Sequence, residues 1–217
     1  MGIKYFQLSQ MNKIKEKVWV QIFIIHTRYL IGGAFIFASV VKIKGDRFTA
    51  ESGASNPIDS AWHLFETLYQ SGLYWKFIGI SQLISGGLLM TQKYAKLGAL
   101  FNFPIILNIF IITLSYYFAY TPVITGLMLL ANLLLLFWDW NEIKIVFNLT
   151  PVIENKKKLE NDIIWVIIGF LLFLFAICFR AFATKHNIKF WLLGSILVGV
   201  IGFIGFIIGL RRRKYYS

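Results

Sequence analysis

Apolar runs alternate with short polar and basic segments along the chain, and this pattern predicts an all-α polytopic membrane protein. A run of roughly 20 residues is long enough to cross about 30 Å of hydrocarbon as a helix. The predicted spans are Val18–Val41, Leu73–Thr91, Leu97–Phe118, Pro122–Trp140, Ile163–Phe179 and Phe190–Leu210. Residues 148–162, "NLTPVIENKKKLEND", predict a linker between two units. Before it lies an antiparallel four-helix transmembrane bundle at 18–147, and after it a C-terminal two-helix transmembrane hairpin at 163–217.

The distribution of basic residues predicts the orientation of these spans. With the N-terminus inside, the segments on that side are 1–17, the turn around Lys93 and Lys96, the linker and the tail "RRRKYY". They hold about twice as many Lys and Arg residues as the opposite side, and basic residues accumulate on the cytoplasmic side of membrane proteins. We therefore expect a multi-pass protein of the bacterial cytoplasmic membrane with both termini in the cytoplasm.

Composition narrows the class further. The 217 residues are 58% hydrophobic and 15% charged, whereas soluble domains average roughly 45–50% and 25%. The net charge of +12 does not indicate nucleic-acid binding, because the basic residues cluster at the ends of the apolar runs. Cys178 is the single cysteine, so one chain forms neither an internal disulfide nor a Cys-x-x-Cys redox pair.

A polar layer is predicted at mid-depth in the first four spans. Arg28 lies well inside the first span, where a charge costs at least about 2.5 kcal/mol. At 1.5 Å per residue, Arg28 is about 15 Å from the cytoplasmic end of its helix, and Gln82, Asn108 and Asn132 are about 14, 16 and 12 Å from theirs. Lipid offers no hydrogen-bond partner, so we expect these four side chains to face each other inside the bundle.

The faces of the four helices agree with this layer. Small and polar residues recur on one stripe of each helix, while Leu, Ile, Val and Phe occupy the other faces, as expected for a bundle with a polar interior. The stripes are Arg28, Gly32, Phe35, Ser39 and Lys42; Gly79, Gln82, Gly86 and Met90; Phe101, Pro104, Asn108 and Ser115; and Thr121, Thr125, Asn132 and Asp139.

Two interpretations of the layer remain open. Asp139, the only acid within a span, differs from Arg28 in depth by about 13 Å, so direct pairing is allowed but not required. His26 lies on another face and either bridges that gap or donates to a neighbouring carbonyl. The layer is either a network that fixes helix register or a cavity for a polar headgroup, such as a quinone carbonyl or a small anion. The candidate ligand-binding residues are Arg28, His26, Gln82, Asn108, Asn132 and Asp139.

The long loop between the first two spans predicts an amphipathic helix at 57–70. Asn56 is the expected N-cap and Pro57 the first helical residue. The apolar face should lie flat on the outer membrane surface or cover the mouth of the bundle. His63 and Glu66 are one turn apart on the polar face, but nothing in the sequence completes a metal site, so we expect a solvated face. The apolar face comprises Ile58, Ala61, Trp62, Phe65, Leu68 and Tyr69, and the polar face Asp59, His63, Glu66 and Gln70.

The last span is rich in glycine on one stripe, which predicts close helix packing, either by self-association or against other membrane proteins. Its members are Ser195, Gly199, Gly202 and Gly209.

The first four spans resemble the DoxX family of four-helix integral membrane proteins. The resemblance rests on "QLISGGLLM", on "LGALFNFPIILNIF" and on a first-helix set comprising Arg28, Gly32, Gly33, Phe35, Phe37 and Lys42. It covers residues 18–147 and implies partners in the respiratory chain or in redox chemistry. Gln82 stands where the family usually has an acid, which weakens any proton-coupled role at that position.

The resemblance implies a non-catalytic subunit of a membrane redox or respiratory assembly, and the polar layer adds a candidate pocket in it for a quinone-like or small amphipathic ligand. The sequence carries no haem ligand pair, no flavin or nucleotide fingerprint and no metal cluster, so we expect no redox chemistry from the chain alone. The alternatives are a small-solute transporter with an anion site at Arg28, and a membrane scaffold or assembly factor.

Overall fold

The computed structural model describes residues 14–49, 51–117, 120–151, 158–182, 193–197, 199–205 and 207. Within these ranges the chain is helical and contains no strand. Two 3₁₀ turns are present: Lys144–Phe147 directly precedes the predicted linker, and Leu159–Asn161 lies within its C-terminal end. The α-helices are α1 Val18–Lys44, α2 Ala61–Gln70, α3 Leu73–Met90, α4 Ala95–Ser115, α5 Thr121–Trp138, α6 Trp140–Ile143 and α7 Ile163–Phe182.

Four of these helices, α1, α4, α5 and α7, are long and apolar enough to cross a membrane. The predicted multi-pass membrane protein is confirmed at this level. The second predicted span is the 18-residue helix α3, which carries Lys76 and Gln82 and is not among the four. The sixth predicted span, like the basic segments at both termini, lies partly outside the described residues, and its residues 193–197 and 199–205 are helical.

Helix α1 is the centre of the fold. Of the 18 most apolar consecutive residues of α1, 72% are buried, whereas the corresponding share is 28–33% in α4, α5 and α7. It contacts α3, α5 and α7, and α4 contacts α3 and α5. One core cluster lies between α1, α3, α4 and α5, and its buried members are Ile24, Ile31, Phe35, Leu89, Ala99, Ile106 and Leu135.

Helix α7, which follows the predicted linker, shares a second core cluster with α1 and α3. Trp165 and Ile168 of α7 pack with Ile25 and Tyr29 of α1. A Cβ atom added to Gly169 would lie 2.0 Å from the carbonyl oxygen of Met90, so glycine is required where α7 crosses the end of α3. The linker therefore joins segments that pack together.

Small residues also bring α1 and α3 into backbone contact. A Cβ on Gly32 would lie 2.8 Å from the carbonyl oxygen of Gly86, and a Cβ on Gly86 would lie 2.8 Å from that of Gly32. Such close approach maximises van der Waals contact between helices in lipid, where no hydrophobic effect drives them together.

The predicted interior stripes are confirmed on α1, α3 and α5, apart from Thr121, which is half-buried. The stripe on α4 is wrong, because all four of its members, including Asn108, are exposed. The interior of α4 instead follows Gly98 and Asn102. A Cβ on Gly98 would lie 2.6 Å from the backbone nitrogen of Leu89, so the smallest residues of α4 decide which face approaches α3.

The predicted helix in the long loop exists but begins later and faces differently. Ser60, and not Asn56, is the N-cap of α2, and its hydroxyl accepts a hydrogen bond from the backbone of His63 at 3.2 Å. Glu66, predicted on the solvated face, is buried. Ile58, predicted on the packed face, precedes the helix and is 82% exposed.

The glycine stripe of the last span is only partly directed at a neighbour. A Cβ on Gly202 would lie 2.3 Å from Ile168 of α7, whereas a Cβ on Gly199 would meet no described residue within 4 Å. Gly209 lies outside the described residues.

Candidate functional site

Arg28 points into the protein and is 1% exposed, as predicted. Its guanidinium donates to Asp139 Oδ2 at 2.7 Å, to Glu160 Oε2 at 2.5 Å and to Gln92 Oε1 at 3.1 Å. All three partners are buried. Two carboxylates and one amide therefore surround the guanidinium of Arg28 within the apolar helix α1.

Each partner is positioned by the end of a different helix. Gln92 follows α3 and has a φ of 58°, a left-handed conformation that is uncommon for a residue with a Cβ. Asp139 is the C-cap of α5. Glu160 lies on the 3₁₀ turn that precedes α7. The site thus ties the ends of three helices to the centre of α1.

Further ion pairs adjoin the carboxylate partners of Arg28. Lys158 lies 3.8 Å from Glu160 and donates to Glu142 Oε1 at 2.7 Å, and Lys96 also pairs with Glu142. The six residues Arg28, Lys96, Asp139, Glu142, Lys158 and Glu160, here called the Arg28 network, comprise three cations and three carboxylates and are neutral as a set.

Two outer members of the network, Glu142 and Lys158, are held in their charged forms. Burial disfavours the charged form of Glu142, but hydrogen bonds from Lys158 and Lys96 outweigh it and lower the pKa of this carboxyl. Burial similarly opposes the charge of Lys158, but the hydrogen bond to Glu142 and the attraction of Glu160, Asp139 and Glu142 together outweigh it, so the pKa of Lys158 is raised.

The structure brings together only one predicted pair, Arg28 and Asp139. No hydrogen bond joins Arg28 to Gln82, Asn108 or Asn132 among the described residues, and the amide that it does bind is Gln92. The prediction of a shared amide layer is therefore wrong. Two carboxylates, and not amides alone, offset the charge of Arg28.

The three predicted amides, Asn132, Gln82 and Asn108, lie outside the Arg28 network. Asn132 accepts from Asn102 at 3.0 Å and donates to the carbonyl of Ala99 at 3.1 Å, which links α5 to α4. Gln82 is buried, and its Oε1 has no partner in the described part of the chain. Asn108 is exposed.

The ring of His26 turns back onto its own helix. Its Nδ1 lies 2.9 Å from the carbonyl oxygen of Ile22, which is one of the two outcomes expected for this residue. The ring also makes edge contacts with Tyr29 and Trp165. His26 thus helps α7 pack on α1 and does not bridge Arg28 to Asp139.

Sequence reasoning missed Gln92 and Glu160. Both lie in segments read as connections, where side chains are normally expected to meet water. One signal was present: the chain has only ten acidic residues, and a buried arginine requires a carboxylate more than an amide. Acids next to the apolar runs were therefore the natural candidates.

A small cavity of about 10 Å³ lies beside Glu160, lined by Gln21, Ile24, Ile25, Trp138, Lys158 and Glu160. This volume holds about one water molecule. Several polar atoms at the site have no protein partner within the described residues, namely Arg28 Nε, Gln92 Nε2 and Asp139 Oδ1. The site therefore retains local hydrogen-bonding capacity.

Among the described residues, no three His, Cys, Asp or Glu side chains form a metal-binding group. His63 Nδ1 lies 3.1 Å from the carbonyl oxygen of Asn56, and Glu66 accepts two hydrogen bonds from Arg47 at 2.8 and 2.9 Å. These two side chains hold the loop against α2.

Comparisons of the chain with protein-family models, with curated proteins and with solved structures gave no match. The class that the fold defines is a helical protein with four helices able to cross a membrane.

Proposed function

We propose that the chain is a DoxX-like integral membrane protein that serves as a non-catalytic subunit of a larger redox or respiratory assembly. In this proposal α1, α3, α4 and α5 form the four-helix membrane bundle. Helix α7 and the segment after it add a membrane hairpin to that bundle. The DoxX-like sequence stretches support the type of assembly, and the Arg28 network supports a structural role.

The Arg28 network is the observation that carries this proposal. Arg28 is nearly inaccessible, and each of its two terminal nitrogens donates to a carboxylate. A compensated and enclosed cation is poorly suited to bind and release a transported anion, because its own carboxylates repel that anion. Its contacts instead fix the ends of α3 and α5 and the start of α7, which is what a scaffold requires.

A quinone-like ligand is the second candidate, favoured by the unpartnered donors Arg28 Nε and Gln92 Nε2. A ligand carbonyl could accept from either of them. The neighbouring cavity of about 10 Å³ suits water better than a quinone ring, because one water molecule already fills such a volume.

Purification of the full chain from its own membranes in mild detergent distinguishes these functions. We expect a particle heavier than the monomer that contains a second protein in fixed ratio, with much less than one quinone per chain by mass spectrometry. A monomer that retains one quinone per chain, and loses it when Gln92→Leu is introduced without unfolding, would overturn the proposal in favour of the ligand pocket.

The proposal includes an orientation with both termini in the cytoplasm. Reporter domains fused after Lys158 and after Ser217 should both report the cytoplasm. A reporter on the opposite side at either position would contradict the six-span topology.

A further inference from the structure

Asn108 lies on the surface of α4, at a depth where lipid offers its side chain no hydrogen-bond partner. At 1.5 Å per residue it is about 20 Å from Ala95 and about 10 Å from Ser115, the two ends of the helix. Unlike lysine or arginine, asparagine is too short to extend its polar group over such a distance to the membrane surface. Within the described residues, the side-chain amide of Asn108 makes no hydrogen bond.

The exposure of Asn108 is exceptional in this fold. Among the described residues of α1, α4, α5 and α7, Asn108 is the only charged or amide side chain that is exposed away from a helix end. An amide without a partner in hydrocarbon is costly, so we expect a group other than lipid to cover it. Four other polar residues of α4 and α5 are buried, and each has a hydrogen-bond partner: Asn102, Thr113, Thr125 and Asn132.

Asn108 belongs to a continuous exposed face of α4, here called the Asn108 face. Its members recur at alternating intervals of three and four residues, the heptad spacing of helices that pack along a common seam. All of them are exposed, namely Phe101, Pro104, Asn108, Ile111 and Ser115. Pro104 lacks a backbone N–H, so the carbonyl oxygen of Leu100 has no i+4 donor within α4. Packing against a neighbouring helix can satisfy such a group.

We propose that the Asn108 face is the contact between two copies of this chain, related by a two-fold axis along the membrane normal. Because all copies insert in one orientation, such an axis brings the Asn108 side chains of both copies to the same depth. Asparagine has both donors and an acceptor, so each side chain satisfies the other. A single asparagine at a heptad core position specifies the pairing of coiled-coil helices in the same way. This contact requires the membrane bundle of the proposed function, but not the second protein of that assembly.

The exposed faces of α5 and α7 give no comparable reason to pair. Away from the helix ends they consist of apolar side chains, such as Leu127 and Leu130 on α5 and Phe170 and Leu171 on α7, which lipid covers without cost. A single amide pair between helices in lipid is a weak contact. The two copies should therefore associate in a bilayer, where they are confined to two dimensions, and separate when they are diluted in detergent micelles.

Association can be measured as energy transfer between donor and acceptor fluorescent proteins fused after Ser217, with the purified full chain in phosphatidylcholine liposomes. Transfer should rise to saturation with the protein-to-lipid ratio. Asn108→Leu should need at least about three-fold more protein per lipid for half-maximal transfer, which is the typical effect of one such hydrogen bond. Asn108→Gln should match the wild type, because it keeps the amide. Since Asn108 is exposed, circular dichroism should show both variants folded.

Disulfide crosslinking in a Cys178→Ser background locates the contact. Ile111→Cys, on the Asn108 face, should give crosslinked dimers on oxidation, whereas Leu171→Cys on α7, at a position that is also 50% exposed, should not. Equal transfer by the wild type and Asn108→Leu, a monomeric wild type in liposomes, or equal crosslinking at both positions would overturn the dimer. Ile111→Cys crosslinked to a different protein in native membranes, with no dimer of the purified chain, would assign the face to a partner protein and overturn it too. A second protein that co-purifies without such a dimer refutes this contact alone and leaves the proposed function standing.

Discussion

Replacement of Arg28 by methionine tests the structural role of its network most directly. Methionine has a similar length and suits an apolar core, so the main loss is the charge and its hydrogen bonds. The variant leaves the carboxylates of Asp139 and Glu160 facing each other, 2% and 9% exposed. Removing one partner of a buried ion pair costs about 3–5 kcal/mol, so we expect Arg28→Met to lower the free energy of unfolding by that amount.

Single carboxylate variants should cost less, because Arg28 then keeps one counter-charge. Glu160→Gln removes one charged hydrogen bond, which is worth about 1.5–3 kcal/mol. The triple variant Arg28→Met, Asp139→Asn, Glu160→Gln removes every charge at the centre of the network. It should recover part of the stability lost in Arg28→Met, because uncharged groups remove the penalty of unpaired buried charges.

The assay is reversible unfolding of the full chain in mixed micelles, followed by far-ultraviolet circular dichroism at pH 8. A free energy of unfolding of Arg28→Met within about 1 kcal/mol of the wild-type value would refute the reasoning, because an exposed ion pair contributes no more than this. A triple variant less stable to unfolding than Arg28→Met would refute it as well.

Three further predictions concern other contacts. Gly169→Ala should cost about 1–3 kcal/mol in the same unfolding assay, because its Cβ would lie 2.0 Å from a carbonyl oxygen, while Gly199→Ala, which meets no described residue within 4 Å, should be neutral. Asn102→Leu should cost about 1 kcal/mol by leaving a buried amide unpaired, whereas Asn108→Leu should cost nothing measurable; the reverse order would restore the predicted stripe on α4. The hydrogen bond from its arginine partner lowers the pKa of Glu66 from 4.5 to about 2. The stability difference between wild type and Glu66→Gln should therefore be full above about pH 4.5 and vanish as the pH falls towards 2; a difference that persists at pH 2 would contradict this.

The helices and most of their interior faces could be predicted from the sequence because both follow from local patterns. Apolar run length gives the spans, and the recurrence of small residues around Arg28 and Gln82 gives the packed faces of α1 and α3. On α4 two stripes compete, one through Asn102 and one through Asn108. Which stripe is buried depends on Gly98, where α3 approaches α4 closely. The residue pattern of α4 alone does not specify that approach.

The partners of Arg28 could not be predicted by counting depth along helices. Counting depth pairs side chains that lie at the same level within straight helices. Gln92 and Glu160 instead reach Arg28 from the connections between helices. A left-handed residue after α3 and a 3₁₀ turn before α7 direct them inward. Such backbone choices depend on the tertiary contacts that they create, so they leave only a weak trace in the sequence.

The arrangement around Arg28 also sets an order of events during biosynthesis. Arg28 precedes Gln92 by 64 residues, Asp139 by 111 and Glu160 by 132. At roughly 5–20 residues per second, a ribosome needs about 7–26 seconds to make the last of these partners after the arginine. Until Asp139 is made, 111 residues after Arg28, the first helix carries a charge that no carboxylate of this site offsets, and the second carboxylate follows only at Glu160. The helix must wait at the insertion machinery or beside water, and release into the lipid is favoured once residue 160 has emerged.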